Sequence, residues 1–184
     1  MTALLKGDGL TLVRGGRLLF EGLDLALAPG NALHVTGPNG SGKSSLIRLV
    51  AGLLKPAAGR IERADAALAD EGLALDRELP IRRSLAFWRG PYLADALTAF
   101  DLDRLDQVPV RLLSTGQAKR ARLARVMASG APLWLLDEPL NGLDSQGAEQ
   151  LAAVISAHRD KGGAVLAASH LPLAGDWRTL ELGR

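Results

Sequence analysis

The run Gly37-Pro38-Asn39-Gly40-Ser41-Gly42-Lys43-Ser44 constrains this chain more than any other segment. Two glycines with four residues between them, followed by Lys and Ser, form a pattern that wraps phosphate groups. Glycine lets the backbone curl until successive N–H groups point inward at phosphate oxygens. The pattern needs a strand before it and a helix after it. Residues 32–36 are a short apolar run, as in a buried strand. Residues 43–54 place Leu46, Ile47, Leu49, Val50 and Leu53 at helical spacing, with Gly52 and Pro56 marking the end. The positive end of that helix adds to the cradle. Lys43 supplies a mobile point charge for the β and γ phosphates. Ser44 offers a hydroxyl to Mg²⁺, and Ser45 can bond a further phosphate oxygen.

A second element follows downstream. Residues 133–136 are an apolar strand that runs into Asp137 and Glu138. An aspartate at a strand's C-terminal end can hold Mg²⁺ through water. The glutamate after it is placed to polarise an attacking water.

The remaining pattern gives the fold class. Residues 10–13 and 23–28 read as short strands, with turn signals at Gly15-Gly16 and Pro29-Gly30. Residues 57–112 are less regular and read as short strands followed by small helices. Residues 117–129 and 146–159 read as helices, and 164–168 as a strand. Strands alternating with helices predict an α/β domain with a largely parallel sheet.

Composition excludes several classes. The 184 residues hold 22 Lys and Arg against 20 Asp and Glu, a net +2 that does not argue for nucleic acid or anionic lipid. Aromatics are 4%, too few to interleave with bases. With no cysteine, disulfides, thiolate metal sites and a cysteine nucleophile are all excluded. No segment is apolar for the roughly 20 residues of a bilayer span. The first residues place Lys6 after the leucines, unlike a secretion signal. The chain therefore reads as cytoplasmic, with any membrane part supplied by another chain.

Five motifs in order carry a family resemblance. The phosphate loop is followed by Leu113-Ser114-Thr115-Gly116-Gln117, Leu136-Asp137-Glu138-Pro139, Leu143-Asp144 and Ser169-His170. Over about residues 4–182 the chain resembles the nucleotide-binding domain of ABC ATPases. Residues 131–139 and 18–23 are similar to the ATP-binding subunits of heme exporters of cytochrome c biogenesis. The resemblance implies a P-loop NTPase fold of ABC ATPase type. Its mostly parallel core would be joined by an antiparallel N-terminal sheet and a small helical subdomain. One domain would span 1–184, with the core at about 1–70 and 113–184 and the helical part at about 71–112.

The same resemblance implies roles. ATP and Mg²⁺ are the expected ligands. Residues Gly37, Pro38, Asn39, Gly40, Ser41, Gly42, Lys43, Ser44 and Ser45 would hold the nucleotide. Ser114, Gly116 and Gln117 would face ATP bound to a second copy of the chain. Asp144 would cross that interface. Glu138 and His170 would be catalytic, and Ser44 and Asp137 would serve the metal. The pair would drive a membrane-spanning subunit from the cytoplasmic side of the inner membrane. The transported substrate, heme in the narrower resemblance, would not be bound by this chain. The ATPase subunit of another small ABC exporter is one alternative, and a soluble ABC ATPase switch acting on ribosomes or DNA is the other. Such proteins carry two domains or a long insertion, for which this chain has no room.

Three positions depart from the family pattern. Arg14 stands where an aromatic usually stacks on adenine; a guanidinium can stack with less surface, so weak base selectivity is expected. Thr115 replaces the middle glycine of the signature. Glu71 falls where a glutamine would reach Mg²⁺, and its charge would oppose the γ-phosphate. Lys119, Arg120, Arg122 and Arg125 read mostly as the solvated face of the following helix.

Overall fold

In the computed structural model, which describes residues 3–72, 75–88 and 90–183, the N-terminal strands pair first. Strand β1 (Leu5–Arg14) and β2 (Arg17–Leu27) form an antiparallel hairpin, closed by the two residues between Arg14 and Arg17. Both are glycines at positive φ, 57° and 76°, as the tightest hairpin turns require. Strand β4 (Ala58–Arg63) pairs antiparallel with the other edge of β1.

The second sheet is parallel. Its strands are β3 (Ala32–Thr36), β5 (Ala66–Ala69), β6 (Leu133–Asp137), β7 (Ala164–Ala168) and β8 (Arg178–Glu181), in the order β5-β6-β7-β3-β8. Every residue of β6 and β7 is buried, as expected for parallel strands covered on both faces. Alternate residues serve two cores. Leu133, Leu135, Leu166 and Ala168 join Leu33, Val35 and the apolar face of helix α1 (Lys43–Val50). Trp134, Leu136, Val165 and Ala167 face the opposite way. They pack with helices α2 (Ile81–Ala86), α3 (Leu93–Ala99), α4 (Thr115–Ser129) and α5 (Ser145–Asp160).

The expected α/β class with a parallel core, an antiparallel N-terminal sheet and a small helical part is what is observed. Element ends differ. Helix α1 stops at Val50 rather than 54, because Gly52 turns into the left-handed region at φ 82°. Helix α4 begins two residues before the expected 117, since Ser114 caps it. Strand β8 carries no apolar alternation and is held by pairing with β3. No helix among the described residues is long and apolar enough to cross a membrane.

Candidate functional site

The loops after β3, β6 and β7 emerge at one edge of the parallel sheet, where such sheets bind ligands. After β3 the chain turns through Gly37 at φ 136°. A Cβ there would lie 2.3 Å from the Leu182 carbonyl oxygen and 2.9 Å from Ser41 Oγ, so no other residue fits. Pro38, Asn39 and Gly40 are exposed, and Ser41 is buried. Gly42 caps α1 in the left-handed region at φ 102°, which aims the helix N-terminus into the loop.

Lys43 is 7% exposed, and its ammonium folds back on the loop. Nζ donates to the Gly37 oxygen at 2.8 Å and the Pro38 oxygen at 3.0 Å. Ser45 is buried beneath, and Arg14 Nη1 donates to its Oγ at 3.5 Å. This places the Arg14 guanidinium beside the start of α1. The expected measurement is comparable kcat/KM for ATP and GTP; strong preference for ATP would count against Arg14 as the base contact.

Ser44 Oγ donates to Asp137 Oδ1 at 2.9 Å and so joins the first turn of α1 to the end of β6. Asp137 is 4% exposed. Burial pushes its carboxyl above the usual carboxylate range, and the Ser44 bond only partly opposes this. No cluster of three or more His, Cys, Asp or Glu is present among the described residues. Two hard oxygens beside a phosphate cradle nevertheless suit Mg²⁺, which keeps waters and takes phosphate oxygens as its remaining ligands. The residues fit that ion.

Glu138 has φ 46°, one of two non-glycine residues at positive φ among those described. Its amide donates to the Ala168 oxygen at 2.8 Å. Its Oε2 lies 2.8 Å from His170 Nδ1. A carboxylate only accepts, so Nδ1 carries the proton of this bond. The His170 amide adds a longer bond to the same oxygen at 3.4 Å.

Ser114, Gly116, Gln117 and Asp144 lie apart from the phosphate loop. Ser114 Oγ accepts from the Gln117 amide at 3.2 Å, and Gln117 Oε1 accepts from the Ser114 amide at 2.9 Å. This reciprocal pair caps α4. A Cβ on Gly116 would lie 3.3 Å from the Gly142 oxygen, so α4 starts against the loop before α5. Asp144 caps α5 by accepting from the Gly147 amide at 2.8 Å. Thr115 is the first helical residue, with negative φ, so its β-branch carries no strain here. Glu71 is exposed. Among the described residues its carboxylate contacts neither Ser44 nor Asp137.

The cations of α4 are not a solvated face. Lys119 is 3% exposed and Arg125 is 8% exposed. Burial lowers Lys119 to about 8, with Arg122 adding to the fall and Glu71, Asp137 and Glu138 pulling the other way. Lys119 Nζ donates to the Glu138 backbone oxygen at 2.7 Å. Arg122 and Arg125 donate to backbone oxygens along and beyond β5, and Arg120 to the Phe100 oxygen. Sequence reading missed these bonds because a cation three residues from the next looks the same whether it faces water or carbonyls. Burial by the strands β5 and β6 decides between them.

A parallel sheet with this loop at its carboxyl edge defines a P-loop NTPase. A family profile described as ABC transporter matches residues 20–141. The cytochrome c biogenesis ATP-binding export protein CcmA of Sphingopyxis alaskensis is 56% identical over 181 residues, covering 95% of this chain and 93% of that protein. The protein of the same description from Zymomonas mobilis is 51% identical, covering 98% of this chain and 85% of that one. A solved ATP-binding subunit of an ABC transporter superposes with a TM-score of 0.82 at 23% identity, over 91% of this chain and 80% of that one, a likeness of fold. The chain belongs to the ABC transporter family, within its cytochrome c biogenesis ATP-binding export proteins. It is an ABC-type ATPase and the ATP-binding subunit of a transporter.

Proposed function

We propose that this chain drives a heme exporter of cytochrome c biogenesis, closing as a head-to-tail pair on two ATP·Mg²⁺. The observation that carries the reading is the paired contact at the sheet edge, Ser44 to Asp137 and His170 to Glu138. It stands in a chain 56% identical to a cytochrome c biogenesis export ATPase.

Each residue then has a task. Lys43 leaves the Gly37 and Pro38 oxygens for the β and γ phosphates, while the amides of residues 38–45 cradle them. Ser44 and Asp137 would hold Mg²⁺, with Glu71 reaching it on closure; bound there, the ion neutralises charge between the transferring phosphates. Glu138 accepts the proton of the attacking water, and His170 fixes that carboxylate by its Nδ1–H. Arg14 supports the base. In the partner copy Ser114, Gly116 and Gln117 offer a helix N-terminus to the γ-phosphate, and Asp144 meets the facing loop.

Residues 1–184 act as one domain, with the helical part at about 71–112 against the membrane-spanning subunit. That subunit holds the chain at the cytoplasmic side of the inner membrane. The α4 cations bond carbonyls of their own chain, which supports a reading without nucleic acid. Heme itself passes through the membrane subunit.

A bacterial strain lacking this chain tests the reading. Heme-staining gels are expected to lose the c-type cytochrome bands, with b-type absorbance unchanged, and the wild-type chain restores them. Normal c-type bands in the deletion strain would overturn the heme assignment.

A further inference from the structure

We propose that Lys119 is a positioning residue for Glu138 and that, with Arg122 and Arg125, it ties the Ser114 end of α4 to the loops after β5 and β6. The proposal rests on Glu138 being the carboxylate that activates water.

Glu138 sits at a φ of 46°, a conformation that persists only where the surroundings over-determine it. Three hydrogen bonds fix its backbone. The amide donates to the Ala168 oxygen at 2.8 Å, and the carbonyl accepts from the Asn141 amide at 3.2 Å. The same carbonyl accepts from Lys119 Nζ at 2.7 Å. The last is charge-assisted and buried, and such bonds are about twice as strong as neutral ones. It is also the one that comes from outside the sheet and its following turn.

The same helix repeats the device. Arg122, three residues on, donates to the Glu71 oxygen at 2.8 Å and the Asp70 oxygen at 3.3 Å. Arg125, three further, donates to the Leu68 oxygen. Residues three apart in a helix lie on one side over successive turns. One side of α4 is thus fastened by cations to the carbonyls of β5, of the Asp70-Glu71 turn and of Glu138.

Ser114 is exposed at the tip of this helix, five residues before Lys119. A hydrogen-bonded helix moves as a rod, so a shift at Ser114 reaches Lys119 undiminished. Lys119 passes it to the backbone of Glu138, where a misplacement of about 1 Å costs on the order of 100-fold in rate. Whatever engages Ser114 therefore sets the base of the same chain.

The test uses the full chain and measures kcat and KM for ATP. Lys119→Met keeps the length of the side chain and removes the donor. It is expected to lower kcat at least about tenfold, with KM within about threefold, because the lost contact acts on the reacting geometry rather than on binding. Lys119→Arg, which keeps a charged donor, is expected to recover most of kcat. Lys119→Met combined with Glu138→Gln is expected to be no slower than Glu138→Gln alone, since the two act through one group. Wild-type kcat in Lys119→Met overturns the proposal, as does a double variant slowed by both factors together. If Lys119→Met fails to fold, Lys119→Gln serves: it is expected to show the same loss in kcat alone, and full activity would overturn the proposal. A fast Glu138→Gln would instead strike at the role of Glu138. A slow Glu138→Gln beside a fast Lys119→Met would strike at the present inference only.

Discussion

Glu138→Gln is expected to lower ATP turnover about 10²- to 10⁴-fold, the range for loss of a positioned general base. ATP affinity is expected to change little, because the carboxylate lies with His170 rather than with the phosphate loop. The amide fills the same space, and its oxygen still accepts the His170 Nδ1–H. What it loses is the ability to take a proton from water. On the proposed head-to-tail pairing, a chain that binds but does not cleave ATP is expected to stay closed on its partner. Phosphate release and size-exclusion chromatography in ATP·Mg²⁺ check both halves, with a slow variant eluting as a dimer. Undiminished phosphate release would remove Glu138 from the chemistry.

Asp137→Asn separates stability from activity. Among the described residues the buried Asp137 carboxylate accepts one hydrogen bond, from Ser44, and burial raises its pKa. A buried charge so sparsely held costs the free protein stability. Its folded pKa lies above the unfolded value, so the cost is present at neutral pH and fades as pH falls into the carboxylate range. Asparagine removes it. Set at about 1 kcal/mol, a typical single-residue effect, this raises Tm by about 2–4 °C for a chain of this size. Turnover in Mg²⁺ is expected to fall about 100-fold or more, since a neutral amide is a poor partner for a hard dication. Scanning calorimetry at pH 7 without nucleotide, beside phosphate release, reads the two effects. A variant that melts lower would show that the carboxylate stabilises the free chain.

The fold was legible where chemistry leaves a local mark. Glycine spacing in the loop announces its own turn, and the unbroken apolar runs at residues 133–136 and 164–168 mark strands with two buried faces. The contact of Ser44 with Asp137, 93 residues apart, follows once both strands enter one parallel sheet. Other features left no local trace. The Ala66–Ala69 strand is four residues of weak strand formers made regular by pairing with β6. Arg178–Glu181 is an edge strand with three of four residues exposed. The positive φ of Glu138 belongs to a residue type that rarely adopts it, and only tertiary bonds explain it. Lys119 and Arg125 carry the residue names of a surface and the environment of an interior. Glu71 stands exposed next to the carbonyl that Arg122 holds, so its reach toward a metal depends on movement of that turn.

The burial of charge on α4 has an electrical consequence. The chain's formal charge is +2. Among the described residues, three cations and one anion are buried: Lys43, Lys119, Arg125 and Asp137. Setting them aside leaves the remaining basic and acidic residues of the sequence equal in number, so they offer little net pull toward the anionic headgroups of an inner leaflet. A protein with such a balance does not concentrate at a bilayer by coulombic attraction. Anionic lipid vesicles alone are expected to leave it in solution at any salt concentration, so attachment to a membrane would rest on a protein partner.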